Sequence, residues 1–305
     1  MNRRERGVAA ITAILIVAVA ASAATLMLAQ QSAMVDQAML ITSRAQADLY
    51  ARAGIDWARG VLQEDSRTSR QVDSLNEAWA QPIAALPVER ALVSGAITDE
   101  QGKLNLNSLV GDTAQASRGA FGRLLASQGL PLELADAVVD WIDEDAVLSG
   151  PGGAEDAYYL SLRKPYRAAN APMSQVEELY RVRGFDAAAV AKVRPYVSAL
   201  PQSTPVNVNT APEVVLQAVF PPEVSRAALA RFVAERRTKP ALSRDDLDKR
   251  LAQPLPAALP VDVRSDFFSV RVQVAQDDVE LSSEALVKRA PTTGAPSIVW
   301  LRPRY

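Results

Sequence analysis

The chain of 305 residues contains no cysteine and no histidine. Without cysteine it can form no disulfide, no thiolate zinc site and no cysteine nucleophile. Without histidine it can form no Ser-His-Asp triad and no imidazole-bound metal site. A metal site in this chain must therefore use oxygen ligands, which suit calcium or magnesium better than zinc. These absences lead us to expect a protein that is not an enzyme.

The chain also lacks a large excess of positive or negative charge. The 33 basic and 35 acidic residues leave a net charge of −2. No overall basic field would attract nucleic acid or anionic lipid, so we expect no nucleic-acid partner. The length is sufficient for about two domains of ~150 residues with a sizeable core.

A basic head and a long apolar run open the chain. Three arginines precede residues 8–29, which contain only three polar side chains, and the helical pattern continues to Leu62. About 22 residues of helix span the ~30 Å hydrocarbon core of a bilayer, whereas the apolar core of a signal peptide has about 7–15 residues. The arginines place the N-terminus in the cytoplasm. A plain membrane anchor stays the alternative to a processed one.

Gly7 lies between the basic head and the apolar run. A basic leader that ends in glycine before a hydrophobic helix resembles the N-terminus of type IV prepilins. The resemblance implies that prepilin peptidase cleaves after Gly7, that Val8 becomes the N-methylated first residue, and that the helix stays as membrane anchor and filament core. Most pilins carry a glutamate at the fifth mature position, where this chain has Thr12. A buried carboxylate needs a partner charge, so a chain without one suits the filament tip.

Alternating apolar and polar residues predict strands on both sides of a helical block. Residues 88–98 alternate, a DEQGK turn and LNLN follow, and this pattern predicts a β-hairpin. Near the C-terminus, residues 267–274, 279–287 and 297–301 predict an antiparallel meander. Residues 108 to about 258 have a helical pattern with short breaks.

This order of elements predicts an α+β protein. One sheet can be completed across an inserted domain whose termini lie close together. We expect a pilin-like fold, with a long N-terminal transmembrane helix on a small antiparallel sheet, and a large inserted all-α domain containing helix-hairpin-helix or SAM-like units. The expected limits are residues 1–7 for a cytoplasmic leader, 8–62 for the helix with 8–29 in the membrane, 63–107 and 262–305 for the discontinuous α/β domain, and 108–261 for the insertion.

Acidic residues crowd a Gly/Pro-rich stretch of the helical block. A helix would place Asp140 and Asp143 on one face, and the following loop can fold Glu155 and Asp156 back towards Asp145. No Lys or Arg lies among them, so these carboxylates repel one another unless they are solvated or bound to a metal. Calcium, which accepts about 6–8 oxygens, suits such a loop. An exposed acidic loop with helix-capping aspartates is the alternative, and the spacing is not that of an EF-hand.

A second motif occupies residues 206–237 (VNVNTAPEVVLQAVFPPEVSRAALARFVAERR) and resembles helix-hairpin-helix modules, with looser echoes at 104–109 and 174–197. In DNA-binding modules of this kind, a glycine-rich hairpin offers backbone N–H groups to a phosphate. Here the hairpin, residues 220–223, reads FPPE. Its prolines remove two donors and its glutamate repels phosphate. We therefore favour structural use, and a membrane-anchored DNA-binding protein of the competence type is the alternative.

Taken together, these features resemble the type II secretion system protein K family of minor pseudopilins. The resemblance extends over most of the chain. The matching residues are the ERGVAAITAILIV start, Trp141-Ile142-Asp143, Gly153-Ala154-Glu155-Asp156, Pro165-Tyr166, Asn170, Glu178-Leu179, Gly184-Phe185 and the VNVNTAP run of residues 206–212.

The resemblance implies calcium bound by the acidic loop. On this analogy the ligands are Asp143, Asp145, Glu155 and Asp156, with Asp140 ranked after them. Any disulfide of other members is impossible here, because the chain has no cysteine. Calcium and packing must then hold the insertion together.

The implied function is that of a tip subunit of the type II secretion pseudopilus. It would assemble with the I and J minor pseudopilins to initiate or cap the filament that drives export of folded proteins across the outer membrane. Other implied partners are pseudopilins G and H, prepilin peptidase, and secreted substrates or the secretin. The implied location is the bacterial inner membrane, crossed once, with the bulk of the chain in the periplasm.

Overall fold

One very long helix dominates the N-terminal part. A computed structural model of the protein describes residues 3–68, 71–112, 114–290 and 294–304. Helix α1 runs from Arg3 to Thr68 and has 66 residues, about 99 Å at 1.5 Å per residue. The loop predicted after Leu62 therefore begins later than expected. Gly7 and Val8 belong to the backbone of α1, but their side chains lie outside the described residues.

The first half of α1 is exposed and apolar. Large apolar side chains between Ile11 and Leu28 are all more than 60% exposed. Among the described residues, this is the one helix long and apolar enough to cross a membrane. The helix is thus a candidate membrane anchor, as the opening residues predict.

Short strands and helices follow α1 in an order close to the predicted one. The elements are β1 (Ile83–Val88), β2 (Ala91–Asp99), β3 (Leu104–Asn105), α2 (Ala114–Ser127), α3 (Leu134–Ile142), α4 (Asp156–Leu160), α5 (Ala187–Val193), β4 (Val197–Ser198), β5 (Val206–Asn207), α6 (Glu213–Val219), α7 (Arg226–Glu235), α8 (Arg244–Leu251), β6 (Val261–Asp262), β7 (Phe267–Gln276), β8 (Val279–Lys288) and β9 (Ser297–Arg304).

Strands from both ends of this series form one five-stranded antiparallel sheet, in the order β1-β2-β7-β8-β9. The predicted C-terminal meander is confirmed. The predicted hairpin between residues 88–98 and LNLN is wrong, because β2 pairs with β1 and with β7, while β3 pairs in parallel with β4. The Asp99 side chain accepts a hydrogen bond from the Gln101 N–H and starts a 3-10 turn that directs the chain away from the sheet.

Helix α1 packs on one face of this sheet. Its buried residues recur every three or four positions, as an amphipathic helix requires, and they contact alternate residues of the strands. They are Ala47, Ala51, Ile55, Ala58 and Leu62, against Phe268, Val270, Val272 and Val274. A Cβ at Gly54 would lie 2.9 Å from Cγ1 of Val272, so helix and sheet leave no room there for a larger side chain.

The part between β2 and β7 is mainly helical. The sequence predicts an all-α insertion, and this expectation is wrong in one respect. This part contains the parallel pairs β3–β4 and β5–β6, and it has its own large hydrophobic core. Phe121 and Tyr159 are both completely buried in that core. The all-α expectation missed these strands because a two-residue strand has too little periodicity to show in a sequence.

The same local arrangement occurs twice within this part. In each case an asparagine in a short strand (Asn105 or Asn207) accepts a hydrogen bond through its side-chain oxygen from the N–H two residues later. That later residue, Asn107 or Asn209, is also an asparagine. Its carboxamide then bonds in both directions with one distant backbone residue, which is Met173 in the first case and Ala241 in the second.

A buried ionic network lies where the mainly helical part joins the sheet. Arg289, which follows β8, donates to Asp65 of α1 and to Asp73, each at 2.6 Å. Asn207 donates to the Asp73 carbonyl at 3.2 Å and to the Asp99 carboxylate at 3.0 Å. Asp73 and Asn207 are fully buried. The network thus connects α1, the end of β2, the end of β8 and β5.

This network predicts that the free energy of unfolding falls as the pH rises from about 4 to 7. Burial raises the pKa of Asp73 to about 7 and that of Asp65 to about 6, against about 3.9 for an unfolded aspartate. The folded state therefore binds more protons in this window and is favoured at its acidic end. We expect the melting temperature, followed by circular dichroism, to be several degrees higher near pH 5 than near pH 7.5, and Asp73→Asn to reduce this difference.

The control is Asp278→Asn at an exposed position, which should keep the pH dependence of the unsubstituted chain. An unchanged pH dependence in Asp73→Asn would contradict the assignment.

Candidate metal site

Three of the predicted ligands lie together in the loop between α3 and α4. Asp143, Asp145 and Glu155 each offer a carboxylate oxygen, and these oxygens all lie within 4.8 Å of one another. Asp143 follows the last residue of α3 in an extended conformation, and Glu155 precedes α4 without capping it. The loop therefore folds back on itself as the sequence predicts, and it aims the three side chains at one point.

Several oxygens around this point are buried and accept no hydrogen bond from the described residues. They are both carboxylate oxygens of Glu155, Oδ1 of Asp143, Oδ2 of Asp140 and Oδ1 of Asn170. A buried polar atom without a partner costs about 1–3 kcal/mol. Hard oxygen atoms that converge in this way are the donor set that calcium uses, so the residues present fit that ion.

The acidic groups of the loop also repel one another. Burial, followed by the charges of Asp140 and Asp143, raises the pKa of Glu155 to about 7. Burial and the charge of Asp145 raise the pKa of Asp143 to about 6. A bound cation would relieve both the desolvation and the repulsion.

The two other predicted ligands are partly engaged elsewhere. Asp140 is fully buried, and its Oδ1 accepts from the Ser149 N–H at 2.9 Å, which leaves Oδ2 free to face the loop. Asp156 accepts from the Ala168 N–H at 3.0 Å and lies 3.8 Å from Arg167. The three-carboxylate group does not include Asp156. Asp140 also lies outside that group, although its Oδ2 has no hydrogen-bond partner among the described residues. The order of Asp140 and Asp156 as ligands stays a prediction.

Asn170 adds an oxygen that the sequence reasoning did not assign to the site. Its side-chain N–H₂ group lies 3.5 Å from the Asp145 carbonyl, and its Oδ1 is buried without a partner. Its φ of +43° is one that asparagine tolerates better than most residues. The signal for finding it was its place among the residues shared with the family, because a carboxamide oxygen is an ordinary calcium ligand.

Glycines allow the loop to pack against α3. A Cβ at Gly152 would lie 2.0 Å from the backbone oxygen of Glu133, and one at Gly153 would lie 2.2 Å from Oδ2 of Asp140. The Gly152 N–H donates to Asp136 at 3.2 Å. Behind the loop, Arg183 donates to the Gly153 carbonyl at 2.7 Å. The Gly-rich composition is thus required by close backbone contact.

A second acidic group, formed by Asp65, Asp73 and Glu77, also has the spacing of a metal site. Its cation is supplied by the protein, because Arg289 pairs with both aspartates at 2.6 Å. Glu77 accepts from the Trp79 indole N–H at 2.6 Å. This group is therefore an internal salt bridge rather than an ion site.

The FPPE turn between α6 and α7 begins in the hydrophobic core with Phe220, whereas Pro222 and Glu223 are exposed. Phe220 is 2% exposed. Arg123 donates to the carbonyls of Ala218 and Val219 at the end of α6. The Val224 N–H donates within the turn, to the Pro221 carbonyl. These contacts give the turn a packing role.

Comparison with known proteins shows which proteins share the fold and the sequence of this chain. The fold is that of a chain in the crystal structure of the GspK-GspI-GspJ complex of the type 2 secretion system from enterotoxigenic Escherichia coli. The TM-score is 0.73 at 24% identity, over 88% of this chain and 99% of that chain. The fold therefore defines the class, an α+β protein with a long N-terminal apolar helix and an antiparallel sheet.

Sequence comparison identifies the family within that class. Two family models described as type II secretion system (T2SS), protein K match residues 102–202 and 206–271. Type II secretion system protein K of Pseudomonas aeruginosa is 38% identical over 83% of this chain and 79% of that protein. The protein of the same name from Aeromonas hydrophila is 30% identical over 94% of both chains. The chain belongs to the type II secretion system protein K family.

The close contact at Gly152 predicts that Gly152→Ala destabilises the folded chain. The added methyl group would collide with the backbone oxygen of Glu133, and forced overpacking costs about 1–3 kcal/mol. Gly60→Ala in α1 is the control, because a Cβ there meets nothing within 4 Å and alanine is the better helix former by about 1 kcal/mol. Thermal denaturation should show a lower midpoint for Gly152→Ala and an equal or higher one for Gly60→Ala. A midpoint for Gly152→Ala as high as the unsubstituted chain's would show that the contact is not tight.

Proposed function

We propose that the chain is a minor pseudopilin at the tip of the type II secretion pseudopilus, where it assembles with the I and J minor pseudopilins to initiate or cap the filament. The observation that carries this proposal is the fold shared over 88% of the chain with a subunit of a GspK-GspI-GspJ complex. Membership of the protein K family supports it. In this role the chain is a structural component without catalytic activity, and it acts with pseudopilins G and H in export of folded proteins.

The long helix supplies the anchor for this role. Prepilin peptidase would cleave after Gly7, leaving Val8 as a methylated N-terminus in the inner membrane. Residues up to about 29 would cross the bilayer, with the N-terminus in the cytoplasm and the remainder in the periplasm. Thr12 would then occupy the position at which most pilins have a glutamate. Its lack of charge removes the need for a neighbouring amine and suits the end of a filament.

We further propose that the acidic loop binds calcium. Asp143, Asp145 and Glu155 form the core of the site, and Asp140 and Asn170 face it with unpartnered oxygens. The ion would supply positive charge that holds the loop between α3 and α4 in its folded conformation. A chain without cysteine has no disulfide to serve this purpose. The ion is thus structural rather than catalytic.

The competence-type DNA-binding alternative is not favoured. The family match covers the residues that suggested it, and the turn that would have to approach a phosphate carries Pro221, Pro222 and Glu223.

Co-purification tests the assembly. Full-length chain expressed with tagged I and J subunits should be recovered from solubilised membranes together with them, and mass spectrometry of the recovered chain should find Val8 as the first residue. A Gly7→Leu variant should stay uncleaved and give little complex. Recovery of an unprocessed chain in normal complexes would contradict the processing step, and failure to recover any complex would contradict the tip assignment.

Chelation tests the calcium site. EDTA should lower the melting temperature, because an ion that binds only the folded state at about 100 times its Kd contributes about 2.7 kcal/mol. Glu155→Gln should bind calcium at least tenfold more weakly and respond little to EDTA. The matched control is Glu144→Gln, an exposed carboxylate of the same loop outside the three-carboxylate group. An EDTA-independent melt with no calcium by elemental analysis would overturn the proposal.

A further inference from the structure

Three consecutive apolar residues lie exposed in the acidic loop between α3 and α4. They are Ala146, Val147 and Leu148, and we call them the AVL segment. Val147 is 72% and Leu148 is 59% exposed, and no other large apolar side chain among the described residues is more exposed than Val147. Single exposed apolar residues need no explanation, but a consecutive exposed run indicates a contact surface.

Carboxylates of the candidate calcium site hold both ends of the AVL segment. On one side, the Val147 N–H donates to Oδ1 of Asp145 at 2.8 Å. On the other side, the Ser149 N–H donates to Oδ1 of Asp140 at 2.9 Å. Asp145 belongs to the three-carboxylate group, and Asp140 has its second oxygen buried without a hydrogen-bond partner among the described residues. An ion at the site would therefore fix the conformation of the AVL segment.

The side chains of the candidate site offer fewer oxygens than calcium accepts. The contributing residues are Asp140, Asp143, Asp145, Glu155 and Asn170. Calcium takes about 6–8 oxygens, so one oxygen from each of these side chains leaves room for a donor from outside the chain. Asp143 is half-buried and Asp145 is exposed, so the site is open to solvent on their side. A phosphate oxygen is a hard ligand of the kind that such an ion binds.

Basic side chains lie beside the acidic loop. Three of them are exposed in the connection that follows α4, namely Arg163, Lys164 and Arg167. The Arg167 guanidinium lies 3.8 Å from Asp156. Three residues later, the Asn170 side chain contacts the Asp145 carbonyl at 3.5 Å. This connection therefore brings positive charge next to the base of the AVL segment.

A phospholipid surface combines the partners that these three features require. It offers apolar chains to the AVL segment, phosphate oxygens to a cation, and negative charge to basic side chains. An apolar pocket of a protein would account for the AVL segment alone. The lipid surface is therefore the occupant that matches the segment, the open site and the basic residues together.

The bilayer that holds α1 is out of reach of the AVL segment. The mainly helical part joins the sheet beside Asp65, in the last turns of α1. From Leu28, near the end of the membrane segment, to Asp65 is about 55 Å along the helix at 1.5 Å per residue. A lipid surface that meets the AVL segment is therefore a second one.

We propose that the AVL segment inserts into a phospholipid surface other than the bilayer that holds α1, and that it does so when the candidate site is filled with calcium. Val147 and Leu148 enter the apolar layer, and Arg167 lies among the phosphate groups. Two aliphatic side chains make this contact weak and reversible. The inference rests on the proposed calcium site and location, in which the second surface is the periplasmic leaflet of the outer membrane.

Capture of a second set of vesicles tests the lipid contact. Full-length chain is inserted through α1 into immobilised vesicles, and protein-free fluorescent vesicles of phosphatidylethanolamine and phosphatidylglycerol are added. We expect the captured fluorescence to be several times higher with calcium than with EDTA. The double variant Val147→Ser/Leu148→Ser should reduce the capture by about tenfold or more, because burial of one Val or Leu side chain changes an affinity by about tenfold.

Matched variants control for surface and for charge. Leu242→Ser replaces an apolar residue that is 65% exposed and lies just before α8, outside the acidic loop, so it should capture vesicles normally. Glu155→Gln should lose the capture that depends on calcium, and Glu144→Gln should keep it. Equal capture by the double variant and by Leu242→Ser would contradict the lipid contact, as would capture that EDTA leaves unchanged. If the double variant instead loses the I and J subunits in co-purification and captures vesicles normally, the AVL segment contacts a protein and the inference is wrong.

The melting temperature separates this inference from the proposed calcium site. If EDTA leaves the melting temperature of the unsubstituted chain unchanged and no calcium is found, the calcium site and the lipid contact both fail. If EDTA lowers the melting temperature, and the double variant melts and captures vesicles as the unsubstituted chain does, the calcium site stands and the lipid contact is wrong.

Discussion

The structure depends on the placement of one guanidinium group. Arg289 lies buried between Asp65 and Asp73, so the last turns of α1 and the loop after it are tied to the end of β8. A buried charge pair adds little stability relative to an apolar replacement, but losing one partner costs about 3–5 kcal/mol, and such pairs can specify one arrangement. Asn207 extends the network to Asp99 and to the mainly helical part. The long helix, the sheet and the inserted part are all oriented here.

Much of the fold could be predicted from the sequence, because its largest features have strong periodic patterns. The helix α1 and the meander of β7 to β9 follow from apolar spacing, and the return of the chain to one sheet follows from the order of the elements. The hairpin partner of β2 could not be predicted, because LNLN alternates like a strand. Its asparagines in fact bond to distant backbone groups: Asn105 to Gln202 and Asn107 to Met173 and Leu200. Alternation in sequence cannot distinguish a ladder from such side-chain bonds.

The candidate site could be predicted as a region but not atom by atom. Clustered carboxylates without neighbouring bases identified the loop, and Asp143, Asp145 and Glu155 do converge. The relative placement of Asp140 and Asp156 depends on which backbone N–H groups each one meets, and this is a property of the folded loop. Asn170 stood among the residues shared with the family, but its approach to the site across a loop is likewise a property of the folded chain. The limits of the inserted domain and the helix-hairpin-helix units stay predictions.

The asparagine arrangement that occurs twice in the chain shows at which point of the fold the acidic loop is inserted. In the second copy, α7 reaches the residue held by Asn209 through the short connection 236–240, whereas in the first copy α3 reaches the residue held by Asn107 only after residues 143–172. The bonds of Asn107 to Met173 and of Asn209 to Ala241 are equivalent. The second copy therefore shows how the first would be built if it had no acidic loop. Residues 143–172 are thus a long addition between two fixed ends, and the addition is packed into the same core through Ala154 and Tyr159.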